Sequence, residues 1–166
     1  MPTKIPWRRT LHKTGANHSN NQAETAMPNP SVTLEISTPS HQALVPITTQ
    51  VREAASRLKL DNGVLHLFVE HTTCGLLVNE NADPDVCRDL LRRLEKLIPW
   101  EDSDDRHAEG NTAAHLRSVL VGCDTSVPVE NGRLRLGTWQ GVFLAEFDGP
   151  RTRRVRATAL FPYRKS

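Results

Sequence analysis

Residues 107–116 read HAEGNTAAHL, and they place two histidines around an acid, a glycine and an asparagine. His107, Glu109 and His115 could together act as proton carriers, metal ligands or hydrogen-bond donors to an anion. Their spacing alone decides little. Seven residues between two histidines is not a zinc-binding spacing, and a capped helix with incidental histidines explains the stretch equally well. Asn111 or Thr112 is the expected cap of a helix beginning at Thr112, whose first-turn amides would be free for a phosphate or carboxylate. His71 is the third imidazole. It ends the run Leu65, Leu67, Val69, His71, one parity of a predicted strand, so it stands at the rim of an aliphatic face and needs a carbonyl, carboxylate or metal as partner. His66 belongs to the other parity and is assigned no role.

Two further polar groups accompany these. Asn79, Glu80, Asn81 and Asp83 crowd one strand-to-helix turn. Asp83 is explained as a helix cap, whereas Glu80 and Asn79 point to a site or a buried network. Trp139 and Gln140 lie in LGTWQG, residues 136–141, where the tryptophan either wedges a strand bend or stacks on a heteroaromatic ligand.

The elements that must position these residues follow from periodicity. VTLEIS alternates as a half-buried strand, beginning the domain near Ser31. Ile47, Val51, Ala54, Ala55 and Leu58 fall at helical spacing, ended by Asp61-Asn62-Gly63. VLHLFVEHTT is a strand, followed by a short apolar run at Leu76–Val78. Asp83-Pro84 opens a helix whose buried stripe is Val86, Leu90, Leu94 and Leu97, with Pro99 closing it. SVPVENGRLRLG is a hairpin turning at Asn131-Gly132. GVFLAEFD and RRVRATALF are the last strands. The order predicts an α+β domain with packed antiparallel, sandwich-like sheets and about three helices, over residues 31–166. Residues 1–30, rich in Asn, Thr, His and Pro, read as a flexible arm.

Composition narrows the class. The 166-residue chain suits one domain, and its net charge of +2 gives no argument for nucleic acid. No apolar run is long enough to cross a bilayer, and no secretory signal is evident. Three widely spaced cysteines, Cys74, Cys87 and Cys123, fit a reducing cytoplasmic setting. Glu101, Asp102, Asp104, Asp105 and Glu109 form an acidic run; Arg151, Arg153, Arg154, Arg156, Arg164 and Lys165 form a basic end. These are either two solvated faces, surfaces that meet across a subunit interface, or, for the basic end, an anion holder.

Three blocks, HTTCGLLVNENADPDV, HAEGNTAAHL and GRLRLGTWQGVFLAEFDGPRTR, resemble in content and order the YjbQ-type family, the secondary thiamine-phosphate synthase enzymes. The resemblance spans about residues 31–162. It implies a homotrimeric α+β fold and a weak synthase activity that joins hydroxymethylpyrimidine pyrophosphate to hydroxyethylthiazole phosphate. It places His71, Glu109 and His115 as catalytic residues. Thr72, Thr73, Glu80, Gly110, Asn111, Trp139 and Gln140 are then expected to bind the phosphorylated heterocyclic substrate. Cys74 stands where the family more often has alanine or serine.

The chemistry admits other readings. Pyrophosphate with Mg2+ prefers oxygen ligands, whereas three imidazoles, His71, His107 and His115, suit Zn2+ or another transition metal. A metal-dependent hydrolase of a small phosphorylated or carbonyl compound is therefore the alternative, and a non-catalytic phosphometabolite-binding module the third.

Overall fold

Alternation of Val32, Leu34 and Ile36 with polar neighbours makes Ser31–Ser37 the first strand, β1, with Leu34 and Ile36 buried. The computed structural model describes residues 30–161. The arm expected at residues 1–30 lies outside them apart from Pro30, and so do Arg164 and Lys165. After β1 come β2 (Ala43–Pro46), α1 (Thr48–Arg57), β3 (Gly63–Val69) and β4 (Cys74–Glu80). Helices α2 (Pro84–Leu97) and α3 (Thr112–Val121) follow, then β5 (Asp124–Glu130), β6 (Arg133–Leu134), β7 (Gln140–Glu146) and β8 (Thr152–Leu160).

The strands form two antiparallel sheets, ordered β1-β8-β3-β5-β6 and β2-β7-β4. Between them lies the main core: Leu34, Leu65, Leu67, Val127, Val155 and Ala157 from the larger sheet meet Leu76, Val142 and Leu144 from the smaller. Helix α1 closes this core with Val51, Ala54 and Ala55. The outer face of the smaller sheet carries Leu77, Ala145 and Phe147, covered by α2 and α3 through Leu91, Leu94, Ala114 and Val121. Strand β7 is thus buried on both faces. That explains why GVFLAEF reads as a continuous apolar run rather than an alternating one. The hairpin turn is as expected, with Asn131 and Gly132 at φ 50° and 69°.

Several sequence expectations change in detail. The short run at 76–78 is the middle of a full strand, β4, and Ala43–Pro46 forms a strand the pattern did not announce. Strand β3 stops at Val69, so His71 lies beyond it rather than on its face. The stripe expected to be buried on α2 is not: no residue of α2 is fully buried, and Leu97 is 68% exposed. Amphipathic spacing shows that a face is apolar, not that the chain itself covers it. Asp83 does cap α2, its Oδ1 accepting the Asp85 N–H at 2.8 Å.

Candidate active site

At one end of the smaller sheet, β4 begins, β7 ends, β8 starts and α3 opens, and this convergence makes a cleft. Its polar part, about 300 Å³, is lined by Glu70, His71, Thr72, Thr73, Glu109, Asn111, His115, Asp148, Arg151 and Arg153. An apolar part of about 690 Å³ adjoins it and shares Glu70, His71, Thr72 and His115; Phe68, Val69, Val119, Gly122 and Cys123 complete its walls.

His71 is fixed by an unusual ladder bond. The Glu70 N–H still donates to the Arg154 carbonyl at 3.1 Å as in a strand. One residue on, the Arg154 N–H donates to His71 Nε2 at 2.8 Å. Nε2 is therefore an acceptor, so the proton of the neutral ring sits on Nδ1, a tautomer assigned from that bond. Burial, then the charges of Arg153 and Arg154, lower the His71 pKa below its ordinary value and keep the ring neutral.

The floor is a buried ion pair. Glu146, fully buried, accepts from Arg153 Nε at 2.7 Å and Nη2 at 2.5 Å, from Thr38 Oγ1 at 2.9 Å, and from the Phe147 and Asp148 N–H groups at 2.9 and 2.8 Å. Burial pushes the Glu146 carboxyl up, but the Arg153 hydrogen bond, the Asp148 N–H, the Arg153 charge and the Thr38 hydroxyl outweigh it and hold the pKa below the usual range. Arg153 Nη2 also donates to Thr73 Oγ1 at 2.9 Å, joining the β3–β4 connection to β8. Asp148 accepts from Asn111 Nδ2 at 3.2 Å and pairs with Arg151 at 3.0 Å. Glu70 pairs with Arg156 at 2.7 Å and lies 3.8 Å from Arg154. The basic end at residues 151–156 is thus neither a free solvated face nor an unpaired anion holder: each of its four arginines has a carboxylate neighbour.

Helix α3 opens at Asn111 and Thr112, but Asn111 does not cap it with its side chain. The reason is the bond to Asp148, which turns the amide toward the β7–β8 turn. Asn111 Oδ1 and Thr112 Oγ1 are left buried without a hydrogen-bond partner among the described residues. Such a group is costly unless a ligand or water supplies what is missing. His115, in the first turn, faces His107 edge to face at 5.3 Å between ring centroids. His107 Nε2 is 4.0 Å from Glu109 Oε2, and the Glu109 side chain is 73% exposed.

His71, Thr72, Thr73, Glu109, Asn111 and His115 therefore come together, with Gly110 beside them and His107 at the margin. Glu80, Trp139 and Gln140 do not. Glu80 pairs with Gln140 at the opposite end of β4 and β7, and Cys74 and Glu80, the two ends of the seven-residue β4, lie roughly 20 Å apart. The three histidines do not form a ligand set either. His71 Nε2 is occupied, and among the described residues no three His, Cys, Asp or Glu side chains are grouped to hold a metal ion. Sequence reasoning missed Glu146, Asp148 and Arg153 as parts of the cleft. The signal was present: Arg153 shares the inward parity of Val155, Ala157 and Ala159, and an inward arginine requires an acid.

The chain matches the family model described as UPF0047 protein YjbQ-like over residues 32–161. UPF0047 protein YugU of Bacillus subtilis is 50% identical over 121 residues, covering 73% of this chain and 92% of its own. UPF0047 protein MJ1081 of Methanocaldococcus jannaschii is 45% identical over 119 residues, covering 72% and 86%. Among solved structures, the conserved hypothetical protein TT1486 of Thermus thermophilus superposes with a TM-score of 0.73 at 53% identity, covering 78% of this chain and 99% of its own. An uncharacterized conserved protein of the same family from Clostridium acetobutylicum gives 0.75 at 40% identity, covering 78% and 99%.

Proposed function

This chain belongs to the YjbQ-like UPF0047 family, and from that premise we propose that its cleft binds a small phosphorylated heterocycle and carries a weak thiamine-phosphate synthase activity, in a cytoplasmic homotrimer. The observation that supports the reading is the pairing of an apolar cavity with a smaller polar one across His71 and His115. A molecule with a flat heterocyclic body and an anionic end fits that division.

In the proposed reaction the bond between the pyrimidine methylene carbon and the pyrophosphate oxygen breaks, and the electron pair leaves with pyrophosphate. The thiazole nitrogen lone pair forms the new C–N bond. Arg151, the His115 ring and the uncapped first-turn amides of α3 face the leaving oxygens and stabilise their charge. Asn111 Oδ1 supplies an acceptor to the pyrimidine amino group, and the Glu109 carboxylate takes a proton from that group as the C–O bond breaks and returns it once the C–N bond has formed. Neutral His71 presents Nδ1–H as a donor.

Purified untagged protein supplied with both substrates is expected to form thiamine phosphate, and His115→Ala and Glu109→Ala are each expected to abolish it. Product formation that survives both substitutions removes these residues from the mechanism; absence of product with the unaltered protein removes the activity.

A further inference from the structure

A hollow of about 400 Å³ lies between the start of α1 and the tip of the β5–β6 hairpin. Gln140, at its edge, begins β7, and Glu146, in the floor of the cleft, ends it, so roughly 20 Å of strand separates the two places within the chain. Hydrogen bonds fix the frame of the hollow on both sides. The Ile47 N–H donates to the Val142 carbonyl at 2.8 Å and the Val142 N–H to Thr48 Oγ1 at 2.9 Å, which seats the first turn of α1 on β7. The Gly132 N–H donates to the Asp61 carbonyl at 2.8 Å and the Asn131 N–H to Asn62 Oδ1 at 3.2 Å, which pins the hairpin tip to the chain leaving α1.

Two arginines from separate elements line this space, Arg52 from α1 and Arg133 from β6, and no carboxylate lines it with them. Glu130 stands directly opposite Arg133 in the hairpin register, yet its Oε2 is taken by Arg135 Nε at 3.1 Å. Asp61, beside Gly132, accepts from Asn62 Nδ2 at 2.7 Å. Among the described residues, neither Arg52 nor Arg133 has a salt-bridge partner. Two guanidinium groups bordering one concave space repel each other, and an anion between them removes that repulsion. Thr48 adds a donor: its Oγ1 accepts from Val142, which leaves the hydroxyl proton free. Helix α1 carries no acid in its first turn, so its positive end adds to the same potential. Leu134 and Leu136, both half-buried, make an apolar wall.

We propose that this hollow is a binding site for a small phosphate monoester. The phosphate lies between Arg52 and Arg133, whose planar forks match its oxygens, and the Thr48 hydroxyl donates to it as well. The apolar body of the ester lies along Leu134 and Leu136. A space of about 400 Å³ suits one ring and its phosphate. The site is independent of the reaction proposed for the cleft.

Amide chemical shifts of the isotope-labelled full chain, titrated with phenyl phosphate at constant ionic strength, test it. Saturable shifts are expected at residues 48–51 and 132–134. Arg52→Ala and Arg133→Ala remove exposed side chains without salt-bridge partners, so the rest of the spectrum should stay unchanged. Each is expected to weaken binding about tenfold, and the double substitution to abolish it. Inorganic phosphate, which lacks the apolar body, should bind more weakly, and phenol should not bind. His115→Ala, in the cleft, should leave the shifts of the hollow as they are. Absence of saturable shifts at the two segments overturns the inference, and so does a titration that the double substitution leaves unaltered. Inorganic phosphate binding as tightly as phenyl phosphate overturns the assignment to an ester, and equal shifts with phenol overturn the role of the arginines. Shifts that vanish in His115→Ala overturn the site too, because they would then report the cleft. The synthase assay reads the cleft alone, so either proposal can fail without the other.

Discussion

His71 accepts from a backbone N–H that a longer strand would have given to a carbonyl, and this makes the ring a structural acceptor as well as a cleft residue. Protonating Nε2 breaks the bond and places a cation beside Arg153 and Arg154. Because the folded-state pKa is depressed, the unfolded chain binds the proton more readily. The resulting stability is present above about pH 6.5 and is lost as pH falls from there through the folded value. Thermal midpoints measured from pH 7.5 to 5 should show this decline, and His71→Gln should flatten it. Glu146 acts in a lower range. Its depressed pKa contributes stability above about pH 4.3 that is lost as pH falls through its folded value. Glu146→Gln leaves Arg153 buried without its counter-charge and should cost about 3–5 kcal/mol in denaturant unfolding. At this scale the sequence was readable where a residue type conflicted with its parity. His71 at an aliphatic rim was noticed; Arg153 at an inward position was the same signal, and Glu146 is its consequence. The acceptor held by His71 was not readable, because it depends on where β8 lies against β3.

Helix α3 owes its position to β4 at Gly75. A Cβ there would meet the Gly122 carbonyl oxygen at 2.7 Å and Val121 Cγ1 at 2.8 Å, so helix and strand touch through backbone. Gly75→Ala must push the C-terminal turn of α3 outward, and since His115 rides on that helix, the cleft moves with it. Overpacking of this kind should cost about 1–3 kcal/mol in denaturant unfolding, and the proposed synthase activity should fall with it. Helix α2 is held more lightly. Arg117 donates to the Ile98 carbonyl from Nη2 at 2.6 Å and from Nε at 3.1 Å, and its guanidinium lies 5.9 Å from the Trp100 ring. Asp83→Ala removes the other tether and should cost about 1 kcal/mol, read as faster amide exchange confined to residues 84–97. Helix boundaries here were legible because caps are local: Asp83-Pro84 and Pro99 punctuate the chain. The covering of α2 was not, since its partners Ala145 and Phe147 come from the far end of β7.

Across the whole molecule, two antiparallel sheets share one core and place chemically distinct groups at opposite ends of β4 and β7. The α+β class and the hairpin were legible from period and turn chemistry. The separation of Glu80, Trp139 and Gln140 from the histidines was not, because a motif gives order along the chain and says nothing about which end of a strand a cleft occupies. No described helix is long and apolar enough to cross a membrane. All three cysteines are free, with Cys74 buried and its thiol pushed up to about 12 by burial first. Thermal midpoints with and without a reductant should therefore coincide. The bond between the Arg154 amide and the His71 ring has a practical consequence: one backbone proton on β8 registers the state of the cleft. A ligand that draws the imidazole toward itself must let that amide go, so its chemical shift and exchange rate form a native binding indicator that needs no label and no knowledge of the substrate.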